Sequence, residues 1–316
     1  MKKKIEIAVI IPAYRASRTI GDVLKSVPPI VDRIIVIDDK CPDGSGSVAS
    51  MSRDLRLKVI YHKKNAGVGG AVVTGYREAL KMGCDIMIKI DADGQMDTAY
   101  IDELISPLRS NQADYTKGNR FRDFKALRAM PILRLLGNNA LLFLVKATSG
   151  YWNIMDPTNG YTAIHRRTLL KLNLAKISKR YFFETDMLIN LNIIGAVVQD
   201  IPVPARYGSE TSSLSICRSL FSFPFKLFWG LTKRIFLRYF VYDFNMASVY
   251  LMISLPVFTA SVTYGIFEWV DSIVTGIARP AGTIMLVSLP IILSFQMLLQ
   301  AISIDISLVP RRTGND

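Results

Sequence analysis

Between residues 5 and 94 the chain alternates short Val/Ile-rich runs with longer amphipathic stretches, and no other feature restricts its fold as much. IEIAVII precedes SRTIGDVLKSV, RIIVIDD precedes GSGSVASMSRDL, LKVIYH precedes a Gly/Ala-rich stretch, and DIMIKIDAD closes the series. Strand-length apolar runs separated by helix-length segments give a β-α-β-α-β-α-β order. Right-handed crossovers fold that order into an α/β, mostly parallel, doubly wound sheet with helices on both faces. In such sheets ligands collect beyond the carboxyl ends of the strands. Pro12-Ala13-Tyr14, Asp38-Asp39 and Asp91-Ala92-Asp93 fall there, so three strand ends are expected to converge on one crevice.

Residues 95–212 are more mixed. A strand is expected near Asp114 to Gly118, an apolar helix around Leu133 to Thr148, a strand near Tyr161 to His165, a helix from Glu184 to Ile194 and a strand from Ala196 to Ile201. No Pro/Gly/Ser-rich linker interrupts them, so residues 1–212 are read as one domain. The opening MKKKIEIAVIIPAY has lysines before an apolar run, as a signal peptide does, but Glu6 interrupts the run and Pro12 closes it. It is read as a buried first strand.

After residue 212 the composition changes. Residues 213–243 are crowded with Phe, Leu and Trp yet carry Arg218, Lys226, Lys233, Arg234 and Arg238, a combination that suits amphipathic helices lying in a membrane interface; Pro224 is expected to split them in two. A basic-rimmed packing helix is the alternative. Phe244 to Phe267 and Pro280 to Ile304 carry no charge, and each is long enough to cross a hydrocarbon core of ~30 Å. The turn between them holds Glu268, Asp271 and Arg279, while basic residues flank the pair. The positive-inside rule then gives a multi-pass membrane protein with residues 1–212 and the tail, 305–316, in the cytoplasm. The 50% hydrophobic content agrees with lipid-facing surface, and the net charge of +13 admits either nucleic acid or an anionic membrane and phosphorylated substrates. Cations beside apolar spans, with Phe rather than paired stacking aromatics, favour the membrane over nucleic acid. Cys41, Cys84 and Cys217 are widely spaced and suggest neither a disulfide frame nor a zinc site.

IKIDADGQMD delivers two carboxylates to the end of a buried strand, and like charges so close call for a neutralising cation. Hard Mg²⁺ or Mn²⁺ takes one or two carboxylates plus phosphate oxygens, which makes Asp91 and Asp93 the metal candidates. Asp38 and Asp39 are placed to accept hydrogen bonds from a ribose or a base, whereas Asp43 or Ser45 is expected to cap the following helix. KKNAGVGGAVVTGYREAL lacks both the P-loop and the dinucleotide glycine patterns. Gly67, Gly69 and Gly70 are expected instead to let the helix pack on the sheet and to bring Asn65 near a donor. His62 and His165 have no partner spacing for catalysis and are read as structural.

The ordered set V-I-I-P-A-Y, I-D-D, N-A-G-V-G-G-A, D-A-D-G-Q and K-G-N-R resembles the inverting family-2 glycosyltransferases of the GT-A fold, in the dolichyl-phosphate mannose synthase and polyprenyl-phosphate glycosyltransferase branch, over roughly residues 5 to 212. The resemblance implies a nucleotide-sugar donor held by Pro12, Ala13, Tyr14, Asp38, Asp39, Asn65, Asp91, Ala92, Asp93 and Gln95. It further implies Arg120 at a phosphate, acceptor-side and catalytic carboxylates at Asp156, Glu184 and Asp186, and interfacial plus membrane helices at the carboxyl terminus. Two departures stand out. The family's P-x-Y-N-E opening reads Pro12-Ala13-Tyr14-Arg15-Ala16, which removes an acidic nucleotide contact, and the late R-x-x-G-x-S/T-K element survives only as Arg206-Tyr207-Gly208-Ser209, with Arg206 the candidate diphosphate clamp and Ser209 beside it. The expected reaction is inverting transfer to a polyprenyl phosphate. A sugar hydroxyl on a lipid-linked glycan is the alternative acceptor and would need a general base, for which Asp186 is the candidate; a non-catalytic nucleotide-binding membrane scaffold is a second alternative. Membrane lipids are expected partners, and a homo-oligomer is left open.

Overall fold

The computed structural model describes residues 4–120, 132–204 and 216–312. They divide into two compact units, Met1–Arg234 with Pro310–Asp316, and Ile235–Val309.

The first unit is built on a seven-stranded sheet. Its strands are β1 (Ile7–Ala13), β2 (Arg33–Asp38), β3 (Leu57–Tyr61), β4 (Ile86–Lys89), β5 (Tyr115–Asn119), β6 (Thr162–His165) and β7 (Val198–Pro202). They lie in the order β3-β2-β1-β4-β6-β5-β7; β6 runs antiparallel to both neighbours and every other pair is parallel. The alternation of the first 94 residues thus gives β1 to β4, joined by α1 (Ile20–Ser26), α2 (Ser45–Ser50) and α3 (Val68–Lys81). Beyond them come α4 (Ile101–Arg109), α5 (Ile132–Ser149), α6 (Arg166–Lys171) and α7 (Phe183–Ile193).

Strands covered on both faces read as continuous apolar runs. Val9, Ile11, Ile34, Val36, Ile86 and Ile88 share one face with Ile20 and Leu24 of α1 and with Leu104 and Leu108 of α4, all buried in one cluster. The other face meets α3 at Gly75, where an added Cβ would sit 2.3 Å from Ile10 Cγ2. Gly75 therefore permits the close approach to the sheet expected of Gly67, Gly69 and Gly70. Those three face elsewhere: a Cβ at Gly67 or Gly69 would meet the carbonyl oxygens of Lys179 or Ser178 at 2.5 and 2.4 Å, and one at Gly70 would meet Ala66. They seat the start of α3 against the segment before α7.

Pro224 does not split the segment that contains it. One helix, α8 (Ile216–Phe236), runs through it and is followed by a π-helical turn, Leu237–Tyr242. The loss of a hydrogen bond at proline is offset by docking: Leu227 and Phe223 pack on Val145 of α5 and on Phe182 and Ile189 around α7. Gly230 lies so close that a Cβ would be 2.7 Å from Ile189 Cδ1. Arg234, expected to reach lipid headgroups, is buried and donates to the carbonyls of Thr148 and Ala147 (both 2.9 Å), closing the last turn of α5. Lys233 donates to Asn190 Oδ1. Phe225, Lys226, Phe228 and Trp229 stay exposed on the other side of α8. Arg312, one of the basic residues flanking the two apolar stretches, pairs with Asp114 at 2.8 Å.

The second unit is a helical hairpin of α9 (Met246–Thr275) and α10 (Ala281–Ser307), each long and apolar enough to cross a membrane. In their most apolar windows 17% and 6% of residues are buried, the opposite of a soluble core helix. Asn245 and Ser248 form a capping box at the start of α9. Glu268 and Asp271, expected in the turn, instead sit on the last turns of α9, where Arg279 pairs with both and lets the helix continue to Thr275.

Candidate active site

The carboxyl ends of β1, β2 and β4 lie side by side because their register puts them there: Ala13 pairs with Asp38, and Ile10 with both Ile35 and Lys89. Ala13 is fully buried, whereas Tyr14 is 47% exposed above it with the Arg15 guanidinium 5.6 Å from its ring. Arg15 and Lys40, just past the ends of β1 and β2, hold left-handed backbone at φ 56° and 55°. Non-glycine residues in that region store strain. Asp43 and Ser45 bind this lip together: Asp43 accepts from the amides of Ser17 and Ser45, and Ser45 Oγ accepts from the amide of Ala16. Gly44, not either of them, is the cap residue of α2.

Asp38 and Asp39 are both buried, and their oxygens organise loops. Asp38 accepts from the amides of Cys41 (2.7 Å) and Gly46 (2.8 Å). Asp39 accepts from the amides of Ala66 and Gly67 (both 2.7 Å), and its carbonyl holds the Asn65 amide. His62 bridges Asp39 Oδ1 and Thr74 Oγ1 at 2.8 and 2.9 Å, and His165 caps α6, so both histidines have the structural roles expected of them.

Asp91, Ala92 and Asp93 follow β4 in a turn that needs Gly94 at φ 76°. Asp93 Oδ1 accepts from the amide of Gln95 at 2.9 Å, and the Ala92 carbonyl accepts from Thr19 at 2.6 Å, which ties this turn to the loop after β1. Beneath Asp91 lies a residue the sequence did not single out. Lys89 is 1% exposed, and its ammonium sits 2.9 Å from Asp91 Oδ1 and 3.1 Å from Glu184 Oε1. Burial alone would lower its pKa, but Asp91 and Glu184 outweigh that and hold it above the ordinary lysine range. Gly160 makes the room: a Cβ there would be 2.3 Å from the ammonium and 2.7 Å from Asp91 Oδ2.

Lys89 thus joins two of the expected site residues, Asp91 after β4 and Glu184 in the first turn of α7. Asp156 and Arg120 form a second pair, with Arg120 Nε 2.8 Å and its second nitrogen 3.2 Å from the two oxygens of the fully buried carboxylate. Asp186 stands apart from both: it is buried, with Oδ2 accepting from the Ser178 amide (2.7 Å) and Oδ1 from Asn190 (3.0 Å). Arg206 and Ser209 lie outside the described residues.

The sequence profile of Glycosyl transferase family 2 matches residues 8–172, just over half of the chain. The chain belongs to glycosyltransferase family 2. It is 28% identical over 216 residues to the UDP-N-acetylglucosamine–dolichyl-phosphate N-acetylglucosaminyltransferase of Methanococcus voltae, covering 64% of this chain and 86% of that one. It is 29% identical over 206 residues to the undecaprenyl-phosphate mannosyltransferase of Micrococcus luteus, covering 63% and 83%. The fold matches the crystal structure of glucosyl-3-phosphoglycerate synthase from Mycobacterium tuberculosis, solved with Mn²⁺, UDP and glucosyl-3-phosphoglycerate, at a TM-score of 0.54 and 20% identity over 74% of this chain and 81% of that one. This glycosyltransferase therefore has a GT-A sheet, and its expected family stands.

Asp91 and Asp93 suit a divalent ion. The Asp91 side chain is 32% exposed, both residues offer hard oxygen, and among the described residues no group of three or more His, Cys, Asp or Glu gathers into a full cage. Mg²⁺ and Mn²⁺ fit such a partial set, since water and phosphate oxygens complete their coordination.

Proposed function

We propose that this glycosyltransferase moves a sugar, with inversion, from a nucleoside-diphosphate sugar to the phosphate of a polyprenyl lipid at the cytoplasmic face of a membrane. The named relatives act on dolichyl phosphate and undecaprenyl phosphate. The observation that carries the choice of acceptor is the state of the carboxylates. Glu184 and Asp91 share an ammonium, Asp156 is taken by Arg120, and Asp186 is buried under two N–H donors. A sugar hydroxyl would need one of them as a general base within reach. A lipid phosphate is already ionised near neutral pH and needs only to be positioned.

In this reading the ends of β1 and β2, with Asn65, Ala92 and Gln95, shape the nucleotide crevice. Asp91 and Asp93 would hold Mg²⁺ or Mn²⁺, which when bound supplies positive charge at the diphosphate. Lys89 holds the Asp91 carboxylate in place. Asp156 orients Arg120 for a phosphate, since a guanidinium gripped on one edge keeps a defined direction. As an oxygen of the acceptor phosphate bonds to the anomeric carbon, the bond from that carbon to the diphosphate oxygen breaks on the opposite face. Residues 213–243 serve as the interfacial segment, with Phe225, Phe228 and Trp229 in lipid and Lys226 at headgroups, and residues 244–304 as the hairpin.

The test is to incubate membranes carrying the full chain with labelled UDP- and GDP-sugars and to extract the lipids. The expected product is a single sugar on a phosphate that mild acid cleaves. Elongation of a pre-existing lipid-linked glycan, with loss of activity in Asp186→Asn alone, would overturn the choice of acceptor.

A further inference from the structure

Just past the carboxyl end of β3, residues 62–66, the outer face of α3 and residues 174–179 border a cavity of about 380 Å³, and the proposed reaction gives no role to the cations that line it. Gly70, Val73, Thr74 and Arg77 recur at helical spacing along its α3 wall. Val73, Leu174 and Ile177 give it an apolar lining, and Lys63, Lys64, Arg77 and Lys179 bring four cationic side chains to it, while no carboxylate lines it. Lys25 pairs with Asp22, Lys58 and Lys81 with Glu78, and Arg109 with Asp102. Lys63, Lys64, Arg77 and Lys179 have no such partner among the described residues. Four like charges around one concavity raise one another's energy and focus a positive potential that an anion relieves.

We propose that this cavity is a second anion site, built to bind a phosphate-bearing group separately from the donor crevice. Its volume lies in the range of small-ligand pockets. Its walls are fixed. The Lys179 carbonyl accepts from the Gly70 amide at 3.1 Å, and the Ser178 amide is held by Asp186. His62, which also lines the cavity, is clamped between Thr74 and Asp39. The Asp39 carboxylate carries the amides of Ala66 and Gly67, so the cavity wall and the loop that holds Asn65 are one hydrogen-bonded assembly. An occupant is therefore expected to shift the KM for the donor more than kcat. The proposal is independent of which acceptor the enzyme uses.

The phosphate could belong to a soluble anion or to a lipid headgroup, and one experiment separates the two. The full chain is placed in phosphatidylcholine nanodiscs, and lysine acetylation rates are read by mass spectrometry with inorganic diphosphate added, or with phosphatidic acid in the bilayer. Lys25 and Lys81 are the control sites. Protection of Lys63, Lys64 and Lys179, with the controls unchanged, is expected. Protection by soluble diphosphate assigns a free anion, and protection by phosphatidic acid alone assigns a headgroup. In Arg77→Ala/Lys179→Ala the concentration that protects Lys63 and Lys64 should rise about tenfold or more, equivalent to about 1.4 kcal/mol, whereas Arg77→Lys should hold it near the starting value. Both altered residues are exposed, so the fold should tolerate the changes. Equal protection of Lys25 and Lys81, no protection in either arm, or an unchanged response in the double variant would each overturn the site.

Discussion

Lys89 on β4 and Lys117 on β5 both pair in register with Thr162 of β6, so one row of the sheet buries two lysines on the same side. The fold treats them in opposite ways. Lys89 lies between two carboxylates and is held protonated. Lys117 donates to the carbonyl of Asn159, and burial lowers its pKa to about 8. The same row continues to Asp200 on β7, where burial raises the carboxyl pKa to about 6 and Oδ1 is buried without a hydrogen-bond partner. The β4 end pairs its buried lysine with two carboxylates. The β5–β7 end carries charge at a cost, and what it gains is a fixed loop: Lys117 pins Asn159, three residues beyond the Asp156 that orients Arg120.

Breaking the balanced side should have the largest effect. Lys89→Met leaves Asp91 and Glu184 facing each other without their shared cation, and removing one partner of a buried pair costs roughly 3–5 kcal/mol. Denaturant unfolding should show that loss, and donor turnover should fall by about a hundredfold, equal to about 2.7 kcal/mol of barrier. Adding Glu184→Gln removes one of the stranded charges, so the double variant should recover part of the stability. If the two losses simply add, Lys89 and Glu184 do not act as a pair.

The contrast also marks where sequence reading succeeds. β1 to β4 are legible because buried parallel strands are uninterrupted apolar runs, and α9 and α10 because each carries a long uncharged stretch; both signals are local. The lysine row is not. A lysine two residues before Asp91 reads as a strand end in solvent, and only Glu184, 95 positions later, makes its burial tolerable. The resemblance places Asp186 among the acceptor-side and catalytic carboxylates, but the Ser178 amide it accepts from belongs to a loop that packs on the glycines of α3, a contact no local pattern reveals. Pro224 gives a strong local signal that tertiary docking of Leu227, Gly230 and Arg234 overrides.

The unbalanced side is sharpened by pH. The Lys117 pKa falls from 10.5 to about 8 on folding, so the unfolded chain holds that proton more tightly. Its contribution to unfolding free energy therefore rises between about pH 8 and 10.5, and below pH 8 the penalty is fully present. Lys117→Met should flatten this rise. Its net stability at pH 7 should change by less than the ~3 kcal/mol that the shift represents, because the Asn159 carbonyl loses its donor at a cost of about 1–3 kcal/mol. The slope between pH 8 and 10.5 is thus the decisive reading, and an unchanged slope would mean that Lys117 is not desolvated.

Asp200 gives the smallest effect and the opposite sign. Its pKa rises from 3.8 to about 6 on folding, so the folded chain holds the proton more tightly, and the contribution to stability declines as pH rises through that window. Above pH 6 the ionised form is carried at full cost. Asp200→Asn keeps an acceptor for the Met155 amide while removing the charge, so it should abolish the decline between pH 4 and 6 and raise stability at pH 7 by no more than the ~3 kcal/mol that the shift represents. Should the decline persist in the variant, it arises from another carboxylate, and the row would then be balanced at both ends.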